Sequence, residues 1–526
     1  MTITLSQLQQ SCPCLRIGDI TFFTDRDPDH RRLEKFGRWL SQQAWFQPLR
    51  WLSKGQTPEN SIMLGTNCLH DLREAYFETR RKAPPEWLKA IPKPMQHWLD
   101  RQWWLIEADS YAILPCIANS GFGIVTSCDG LIQSTDSTFG LRRLGQISQL
   151  ASLHSPVVTN RITNEYPMKF GHTRFQHSLE VSAYGMLIGY RCELSPNDMT
   201  LLEVATESHD ALTPAGGDTL KAIDPVAFDE DEHYAQLFQS PDWVGLRDHF
   251  KLSEEKLTQT ILGKGLLGSI LDAADKLAYT GTDAREFLGR NWPRGFAWEE
   301  FEDSYEGIQS IVRNDPYPCS VWECTKRIGD ELVFTDQDRL ANFLRLRAFM
   351  FNILYANASA RFLEAGLMAQ VTKILYQEGT LTKEKLLSMT DEQLFMVLNE
   401  AMGSWAIISL PSLLNKGAPE VELFATFQEA LDFERSVAVD SPETMTAFEK
   451  APPPPTKCLS TFKVKKGKKV VPFNIAQPFA SWEIERIAYD PKPFRVFIYR
   501  LPEICPNEDM RKRLLASRNE RITKNQ

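Results

Sequence analysis

Apolar residues recur at every third or fourth position over most of the chain, and this spacing predicts a mainly α-helical protein. Helical patterns of this kind cover residues 141–150, 178–192, 195–209, 253–287 and 339–367. Ser195 directly before Pro196 predicts the start of the helix that runs to His209. Ser253, followed by two glutamates, predicts the start of the next helical stretch because an N-capping hydroxyl and acidic residues both stabilise a helix N-terminus.

The two ends of the chain differ from this helical middle. Residues 1–115 hold seven of the thirteen Trp, and their apolar spacing over 31–51 and 85–106 predicts amphipathic helices. Four consecutive prolines at 452–455 predict a linker, and the patterns at 462–471 and 495–499 predict strands after it. We therefore predict a helical core domain with an added N-terminal helical region and a small α+β C-terminal tail. The predicted boundaries are 1–115, 116–415 and 416–526.

Composition excludes several classes of protein. Of the 526 residues, 43% are hydrophobic and 24% are charged, which is typical of a soluble globular protein. No apolar run approaches the roughly 18 residues of a membrane span, and no signal peptide follows Met1. We therefore expect a cytoplasmic protein that does not bind membranes. The ten Cys show no CxxC spacing, so we expect reduced thiols and no zinc knuckle.

Charge is unevenly distributed along the chain. Residues 451–526 have 16 basic and 7 acidic residues, a net charge of +9. The rest, with 43 basic and 61 acidic residues, carries −18. A basic tail on an acidic body indicates an anionic partner, or contact with the acidic body of a neighbouring subunit.

The pair His209-Asp210, at the end of a predicted helix, is the first candidate for chemistry. An imidazole nitrogen and a carboxylate oxygen side by side can both bind one divalent cation. With nine His in the chain such a pair also arises by chance, so its meaning depends on other residues. His177 begins a predicted helix, and Asp275 lies among apolar residues, where a carboxylate needs a cation or hydrogen bonds to offset its desolvation. Together they make a candidate set of two His and two Asp.

Two cationic side chains accompany these candidate ligands. Arg174 stands three residues before His177, and Lys276 directly follows Asp275. Cationic side chains next to a carboxylate-ligated metal ion indicate an anionic substrate, most simply a phosphate chain.

The order His, then His-Asp, then Asp resembles the signature of the HD superfamily of metal-dependent phosphohydrolases. Within it the chain looks like the deoxynucleoside triphosphate triphosphohydrolases, or dGTPase-like dNTPases, over about residues 130–367. The motif similar to the family's Arg-Phe-Glu-His-Ser-Leu is Arg174-Phe175-Gln176-His177-Ser178-Leu179. The segments that match its other motifs are Arg143-Leu144 with Gln149-Leu150, and Asp275-Lys276-x-x-Tyr279-x-x-x-Asp283.

The resemblance implies hydrolysis of a dNTP to a deoxynucleoside and inorganic triphosphate. It also implies a divalent metal ion. A ligand set of two nitrogens and two carboxylates suits Fe, Mn, Co or, with less affinity, Mg. The implied metal ligands are His177, His209, Asp210 and Asp275. The implied phosphate contacts are Arg174, Lys276 and, from the similarity of Arg347-Ala348-Phe349 to the family's Arg-Ala-Tyr, Arg347. The implied deoxyribose contacts are Gln149, Tyr279 and Asp283, with Leu150 excluding a 2′-hydroxyl.

The chain departs from the family just after His209-Asp210. The two accessory histidines of the family, one of which is the proton donor to the leaving 5′-oxygen, are replaced by Thr213 and Asp218. His233, in the acidic run 229–233, is then the first candidate for the proton donor, followed by Glu232. Asp218 could act as a general acid only if its surroundings raised its pKa.

The resemblance also implies partners. Family members assemble as tetramers or hexamers, so we expect a homo-oligomer, with dNTPs as substrates and as candidate allosteric effectors. Depleting dNTPs would starve a replicating phage, so defence against phage is a hypothesis that rests on the reaction class. Nucleic acid is not the expected partner, although the Lys-rich segment 463–469 would suit it. Two alternatives stay open: an HD phosphodiesterase acting on a cyclic or oligonucleotide, and a nucleotide-sensing module that has lost turnover.

Overall fold

Helices build most of the protein, as predicted. The computed structural model describes residues 14–17, 20–23, 49–50, 62–63, 135, 138–149, 173–224, 226–228, 233–288, 318–356, 361–403 and 420–524. In the first part of these ranges the α-helices are α1 (Arg174–Arg191), α2 (Pro196–Ser208), α3 (Trp243–Phe250), α4 (Glu254–Ile261), α5 (Gly265–Leu288) and α6 (Gln337–Met350). They are followed by α7 (Ala369–Gln377), α8 (Lys383–Ser388), α9 (Asp391–Met402), α10 (Phe427–Asp440), α11 (Lys457–Thr461), α12 (Phe473–Ala476), α13 (Pro478–Ile487), α14 (Leu501–Ile504) and α15 (Glu508–Lys524).

Short helices of other types lie between them. The 3-10 helices are Leu141–Gln146, Gly217–Ala222, Tyr234–Gln239 and Pro318–Cys324, and the π-helical turns are Phe351–Tyr355 and Phe362–Met368. The strands are β1 (Cys14–Ile17), β2 (Ile20–Phe23), β3 (Leu49–Arg50), β4 (Ile62–Met63), β5 (Thr325–Ile328), β6 (Glu331–Phe334), β7 (Glu420–Phe424), β8 (Thr444–Lys450), β9 (Lys463–Lys466), β10 (Lys469–Pro472) and β11 (Phe494–Arg500).

The helix α1 is central because it packs against both α2 and α5. Its inward face is continuous with the hydrophobic core, to which Val181, Tyr184 and Ile188 contribute fully buried side chains. The next helix, α2, begins where the sequence predicts: the Ser195 hydroxyl accepts a hydrogen bond from the Asp198 amide, and Pro196 occupies the first turn. The three helices therefore bring the predicted ligands of the metal site, which lie at their ends or along their inner faces, to one place.

Three predicted helical stretches are shorter or more broken than their apolar patterns. Within the described part of the stretch 141–150, the helix is a 3-10 helix that ends at Gln146, because the chain is extended at Ile147 and Ser148 forms a β-bridge with Thr173. Ser253 caps α4 as predicted, but the stretch 253–287 divides at Gly263, whose φ of +72° ends the helix. The stretch 339–367 becomes α6 and the two π-helical turns. Periodicity records which positions face the core, and it is insensitive to such breaks.

The C-terminal region is α+β, as predicted, and it joins the helical part through a shared sheet. The sheet has the order β10-β9-β6-β5, in which β9 runs parallel to β6 with Val333 opposite Lys463. A second sheet, of order β7-β11-β8, is antiparallel throughout, with α10 connecting β7 to β8. This second sheet packs on the π-helical turn Phe362–Met368, where the Phe362 and Phe497 rings are 6.0 Å apart.

The N-terminal region is described only at its strands, which form a sheet of order β1-β2-β4-β3. These strands were not predicted from the sequence, and β3 occupies the end of the stretch 31–51, for which the apolar spacing predicts a helix. The rest of that stretch and the predicted helix at 85–106 lie outside the described residues. The three predicted domain boundaries stay predictions.

Two expectations from composition concern the described residues. No helix among them combines the length and the apolar character that a membrane span requires. The cysteines Cys192, Cys324, Cys458 and Cys505 are free thiols, in agreement with the expectation of reduced cysteines.

Candidate metal centre

His177 lies in the first turn of α1 and is almost completely buried. Its Nε2 atom is 3.0 Å from Oδ1 of Asp275, which α5 presents from the opposite side. The same Nε2 atom is 3.8 Å from Oδ2 of Asp210. Two carboxylates therefore converge on one buried imidazole nitrogen, a costly arrangement unless a cation or proton compensates for it.

His209 ends α2, and its ring is held from the side that faces away from the cluster. The Nδ1–H donates a hydrogen bond to the Thr206 carbonyl at 2.7 Å, and the Tyr234 hydroxyl donates to the carbonyl of His209 itself. The Nε2 atom is buried without a hydrogen-bond partner, 3.7 Å from Asp210 Oδ1 and 3.8 Å from Asp275 Oδ1. A histidine that uses one ring nitrogen on a backbone carbonyl and points the other at carboxylates is oriented as a metal ligand.

The donor atoms have the spacing that one metal ion requires. The ligand atoms of His177, His209 and Asp275 all lie within 4.8 Å of one another, and Asp210 adds oxygens 3.7 and 3.8 Å from the two histidines. Ligands at about 2.0–2.2 Å from a shared ion lie no more than about 4.4 Å apart. The cluster thus fits a divalent ion with small adjustments of side-chain torsions, and two nitrogens with two carboxylates suit Fe, Mn or Co.

Electrostatics at the cluster favour a bound cation. Burial would raise the pKa of Asp210, but the Arg174 guanidinium, 3.0 Å away, together with His209 and His177, holds that pKa below its usual range. Burial would likewise raise the pKa of Asp275, but its contacts with the two histidines depress it well below the usual value. Burial alone would lower the pKa of His209, yet Asp210 and Asp275 raise it to about 9. Both carboxylates are therefore ionised at neutral pH, and they attract positive charge to this point.

Tyr279, Arg347 and the Pro455 carbonyl, here called the polar wall, lie beside the candidate metal ligands. The Tyr279 ring is 6.4 Å from the His177 ring, and its hydroxyl accepts hydrogen bonds from Nε (2.8 Å) and Nη2 of Arg347. The same guanidinium donates through Nη1 to the Pro455 carbonyl at 2.8 Å. Burial raises the pKa of Tyr279 to about 12, against the influence of Arg347 and Lys276, so the phenol stays neutral with its own O–H available as a donor.

The other predicted sugar contacts are also close to the helices of the cluster. Asp283, one helical turn beyond Tyr279, is fully buried and accepts a hydrogen bond from the Tyr355 hydroxyl. Gln149 is 8% exposed, and its Oε1 atom has no hydrogen-bond partner among the described residues. The preceding residue, Ser148, is bridged to Thr173 at the start of α1, which places Gln149 near that helix. An unsatisfied buried acceptor is the feature expected of a group that binds a ligand hydroxyl.

Other predicted residues are engaged elsewhere in this structure. Lys276 pairs with Asp272 on its own helix. Asp218 is largely exposed and forms ion pairs with Arg174 and Lys221, both at 3.3 Å. Arg174 and Lys221 lower the pKa of Asp218, so its carboxylate is ionised.

The remaining proton-donor candidates stay predictions. The His233 Nε2–H donates to the Val226 carbonyl at 2.9 Å, and no contact described here joins its ring to the metal cluster. Glu232 and Leu150 lie outside the described residues.

Three contacts of the site were not predicted from sequence. The Thr206 carbonyl and the Tyr234 hydroxyl orient His209, and Tyr355 orients Asp283. Thr206 lies on the same helix as His209, one turn earlier, so helical spacing was a usable signal for it. Tyr234 and Tyr355 come from distant segments, and their sequence neighbourhoods show no motif that connects them with the cluster.

The fold is similar to that of solved structures with little sequence identity. One is a phosphohydrolase from Bacteroides thetaiotaomicron VPI-5482, with a TM-score of 0.52 and 14% identity over 72% of this chain and 98% of that chain. Another is a hypothetical protein from Aquifex aeolicus, with a TM-score of 0.50 and 16% identity over 74% of this chain and 96% of that chain. No protein-family model and no curated protein matches the sequence. The likeness shows that this chain shares the fold of almost all of each solved structure, over 72% and 74% of its own length.

Proposed function

We propose that the protein is a metal-dependent phosphohydrolase that cleaves dNTPs to deoxynucleoside and inorganic triphosphate. The observation that carries the proposal is the convergence of His177 Nε2, His209 Nε2 and Asp275 Oδ1 within 4.8 Å, beside Asp210. The fold's likeness to a phosphohydrolase structure supports the reaction class. The resemblance of the motifs around Gln149, Arg174 and Lys276 to those of dNTPases supports the substrate.

The metal ion would be held by His177, His209, Asp210 and Asp275, and it would supply Lewis-acid polarisation of a phosphoryl group and of a water molecule. The chain's own residues orient these ligands. Arg174 keeps Asp210 ionised, and the Thr206 carbonyl holds the Nδ1–H of His209, so Nε2 is the ring nitrogen that would give up its proton to a metal ion. These contacts prepare the ligands before any substrate arrives, which is the preorganisation that catalysis requires.

Phosphate binding would use two cations that are paired with carboxylates in this structure. Arg174 bridges the buried Asp210 and the largely exposed Asp218. A phosphate group can replace Asp218 on the outer Nη2 without disturbing the inner contact, because bidentate guanidinium groups bind two anions at once. Lys276 would exchange Asp272 for phosphate in the same manner.

The sugar would lie against the polar wall. The Tyr279 O–H and the Asp283 carboxylate offer a donor and an acceptor on one face of α5, four residues apart. Gln149 Oε1 is an unsatisfied acceptor for a sugar hydroxyl. Arg347 donates hydrogen bonds both to the Tyr279 hydroxyl and to the Pro455 carbonyl, and so links Tyr279 to the proline segment.

The test is a panel of dNTPs and NTPs, singly and in mixtures, with Mn, Mg, Fe or Co and detection of inorganic triphosphate. We expect triphosphate release from at least one dNTP, and a loss of at least about 100-fold in Asp210→Ala. The matched control is Asp248→Ala, which changes an exposed aspartate on α3 that forms an ion pair with its neighbour Arg247. Equal rates in the wild type and Asp210→Ala would overturn the metal site.

Two other outcomes would replace the proposal with an alternative. Cleavage of a cyclic or oligonucleotide while all dNTPs stay intact would make the protein a phosphodiesterase. Tight dNTP binding without triphosphate release under any metal or mixture would make it a nucleotide sensor. The mixtures also test nucleotide activation, and light scattering with and without dNTPs tests the proposed homo-oligomer.

A further inference from the structure

A buried aspartate far along the sequence contacts two segments that flank the metal cluster. Asp391 is the first residue of α9, and it is 5% exposed. Its Oδ2 atom accepts a hydrogen bond from the Ser148 amide at 2.8 Å, and its Oδ1 atom accepts one from the Gly216 amide at 2.8 Å. One carboxylate thereby joins two chain segments that are 68 residues apart from each other and at least 175 residues away from it.

Each of the two segments carries a predicted site residue. Ser148 directly precedes Gln149, whose buried Oε1 atom has no hydrogen-bond partner. Gly216 lies between the proposed metal ligand Asp210 and Asp218. Its φ of +80° would strain any other residue, and an added Cβ would lie only 3.0 Å from Cδ2 of Leu394. Asp391 therefore fixes the position of the Gln149 segment relative to the loop 211–217.

Arg143 holds the same loop from the other side. Its Nη2 atom donates to the carbonyls of Thr213 at 2.6 Å and Ala211 at 3.3 Å. Its Nη1 atom donates to the carbonyl of Met389, two residues before Asp391, at 3.3 Å. Arg143 and Asp391, here called the loop clamp, thus connect the loop after the metal ligands to the start of α9.

The Asp391 carboxylate is not needed to cap its own helix. Thr390 is the N-cap of α9, where its hydroxyl accepts from the Gln393 amide and the Gln393 side chain accepts from the Thr390 amide. The capping box therefore satisfies two amides of this helix end, those of Thr390 and Gln393, without the Asp391 carboxylate. The cost of burying the Asp391 carboxylate is therefore offset by the two hydrogen bonds that it accepts from amides of remote loops.

We infer that Asp391 is a positioning residue for nucleotide binding, which holds the Gln149 segment and the loop 211–217 in register beside the metal cluster. This inference rests on the proposed function, since Gln149 acts there on the substrate. Neither Ser148 nor Gly216 belongs to α1, α2 or α5, the helices that bring the metal ligands together. Loss of the clamp should therefore weaken nucleotide binding and leave metal binding intact.

The experiment compares Asp391→Asn with Glu392→Gln in the full chain. Both changes remove one negative charge from the first turn of α9, but Glu392 is exposed. An asparagine at 391 can accept only one of the two amides, and its NH2 group faces the other. We expect the KM for the hydrolysed dNTP to rise about tenfold in Asp391→Asn, the typical effect of one lost charge-assisted hydrogen bond. We expect the Mn²⁺ Kd from calorimetry to change less than about twofold.

Amide hydrogen exchange gives a second readout that needs no turnover. We expect faster exchange in Asp391→Asn within 145–149 and 211–217, and unchanged exchange in α1 and α5, compared with Glu392→Gln. If KM and exchange in Asp391→Asn match those of Glu392→Gln, the inference is wrong. It is also wrong if Mn²⁺ binding falls in parallel with nucleotide binding, because Asp391 would then support the whole site.

The two proposals fail in different ways. If the wild type is active and Asp210→Ala is dead, but Asp391→Asn has an ordinary KM, the function stands and the positioning role falls. If the wild type hydrolyses no nucleotide, the proposed function is wrong. Amide exchange at 145–149 and 211–217, together with the Mn²⁺ Kd, still tests whether Asp391 holds these segments in place. If Asp391→Asn does not fold, Arg143→Gln removes the cationic half of the clamp, and the same expectations apply to it.

Discussion

At the scale of single residues, the site depends on which atom of each side chain is already occupied. His209 gives its Nδ1–H to the Thr206 carbonyl, so Nε2 is the ring nitrogen that faces Asp210 and Asp275. Asp275 in turn directs Oδ1 at both histidines, 3.0 Å from His177 and 3.8 Å from His209. The cluster is a candidate metal site because these contacts direct ring nitrogens and carboxylate oxygens toward one point.

Asp275→Asn tests this arrangement against Asp272→Asn, the same chemical change one turn earlier on α5. We expect Asp275→Asn to raise the Mn²⁺ Kd at least about 100-fold, because a neutral amide replaces an anionic ligand. Asp272 pairs with Lys276 and is not part of the cluster, so Asp272→Asn should leave the Kd within about twofold. Titration calorimetry with Mn²⁺ measures both, and similar constants for the two variants would refute the assigned ligand.

At the scale of elements, the ligands meet because α1 and α2 approach closely. A Cβ added at Gly185 of α1 would lie 2.9 Å from Cγ2 of Thr206, and one at Gly189 would lie 2.7 Å from Sδ of Met199. Thr206 is also the residue whose carbonyl orients His209. Close helix packing at Gly185 thus connects the position of α1, and of its His177, to the orientation of His209.

Gly185→Ala should destabilise the protein, although alanine has the higher helix propensity. The new methyl group meets a buried β-branched side chain, and overpacking of this kind costs about 1–3 kcal/mol. Gly245→Ala is the control, because Gly245 lies in α3 with nothing within 4 Å of an added Cβ. That change should stabilise by about 0.5–1 kcal/mol. Urea unfolding curves measure both free energies, and a stabilised Gly185→Ala would show that the helices are not in close contact there.

At the scale of the whole molecule, the C-terminal region is part of the core that supports the site. Strand β9 extends the sheet of β5 and β6, and the Phe462 ring lies 5.0 Å from the Phe334 ring. The Pro455 carbonyl, in the proline run, accepts a hydrogen bond from Arg347 of the polar wall. The four prolines predicted a linker, but their last residue contacts the candidate site.

Phe462→Ala should therefore destabilise the site together with the tail. Removing a buried aromatic ring costs about 3–5 kcal/mol, and Lys468→Ala, in the exposed turn between β9 and β10, should change stability by less than about 0.5 kcal/mol. We expect the helix signal in circular dichroism and the Mn²⁺ affinity to be lost in one transition at a lower urea concentration. Separate transitions for the tail and the metal site would show that the two do not share a core.

The sequence by itself determined the features that depend on neighbouring residues. The helical class follows from apolar spacing, and Ser195 and Ser253 mark helix starts because a cap acts within three residues. His177, His209 and Asp275 were also identifiable from sequence, since motif spacing ties each to a helix end or face. The contacts of Arg347 with Tyr279 and Pro455, and the loop clamp of Arg143 and Asp391, were not identifiable from sequence.

Only the tertiary structure decided those contacts. Arg347 lies 108 residues from Pro455, and Asp391 lies 243 residues from Ser148. No local pattern encodes such pairs, because their partners are selected by how helices and sheets pack to bury apolar surface across the whole chain. The candidate metal ligands can thus be identified along the sequence, whereas the residues that hold the surrounding loops in place can be identified only from the folded structure.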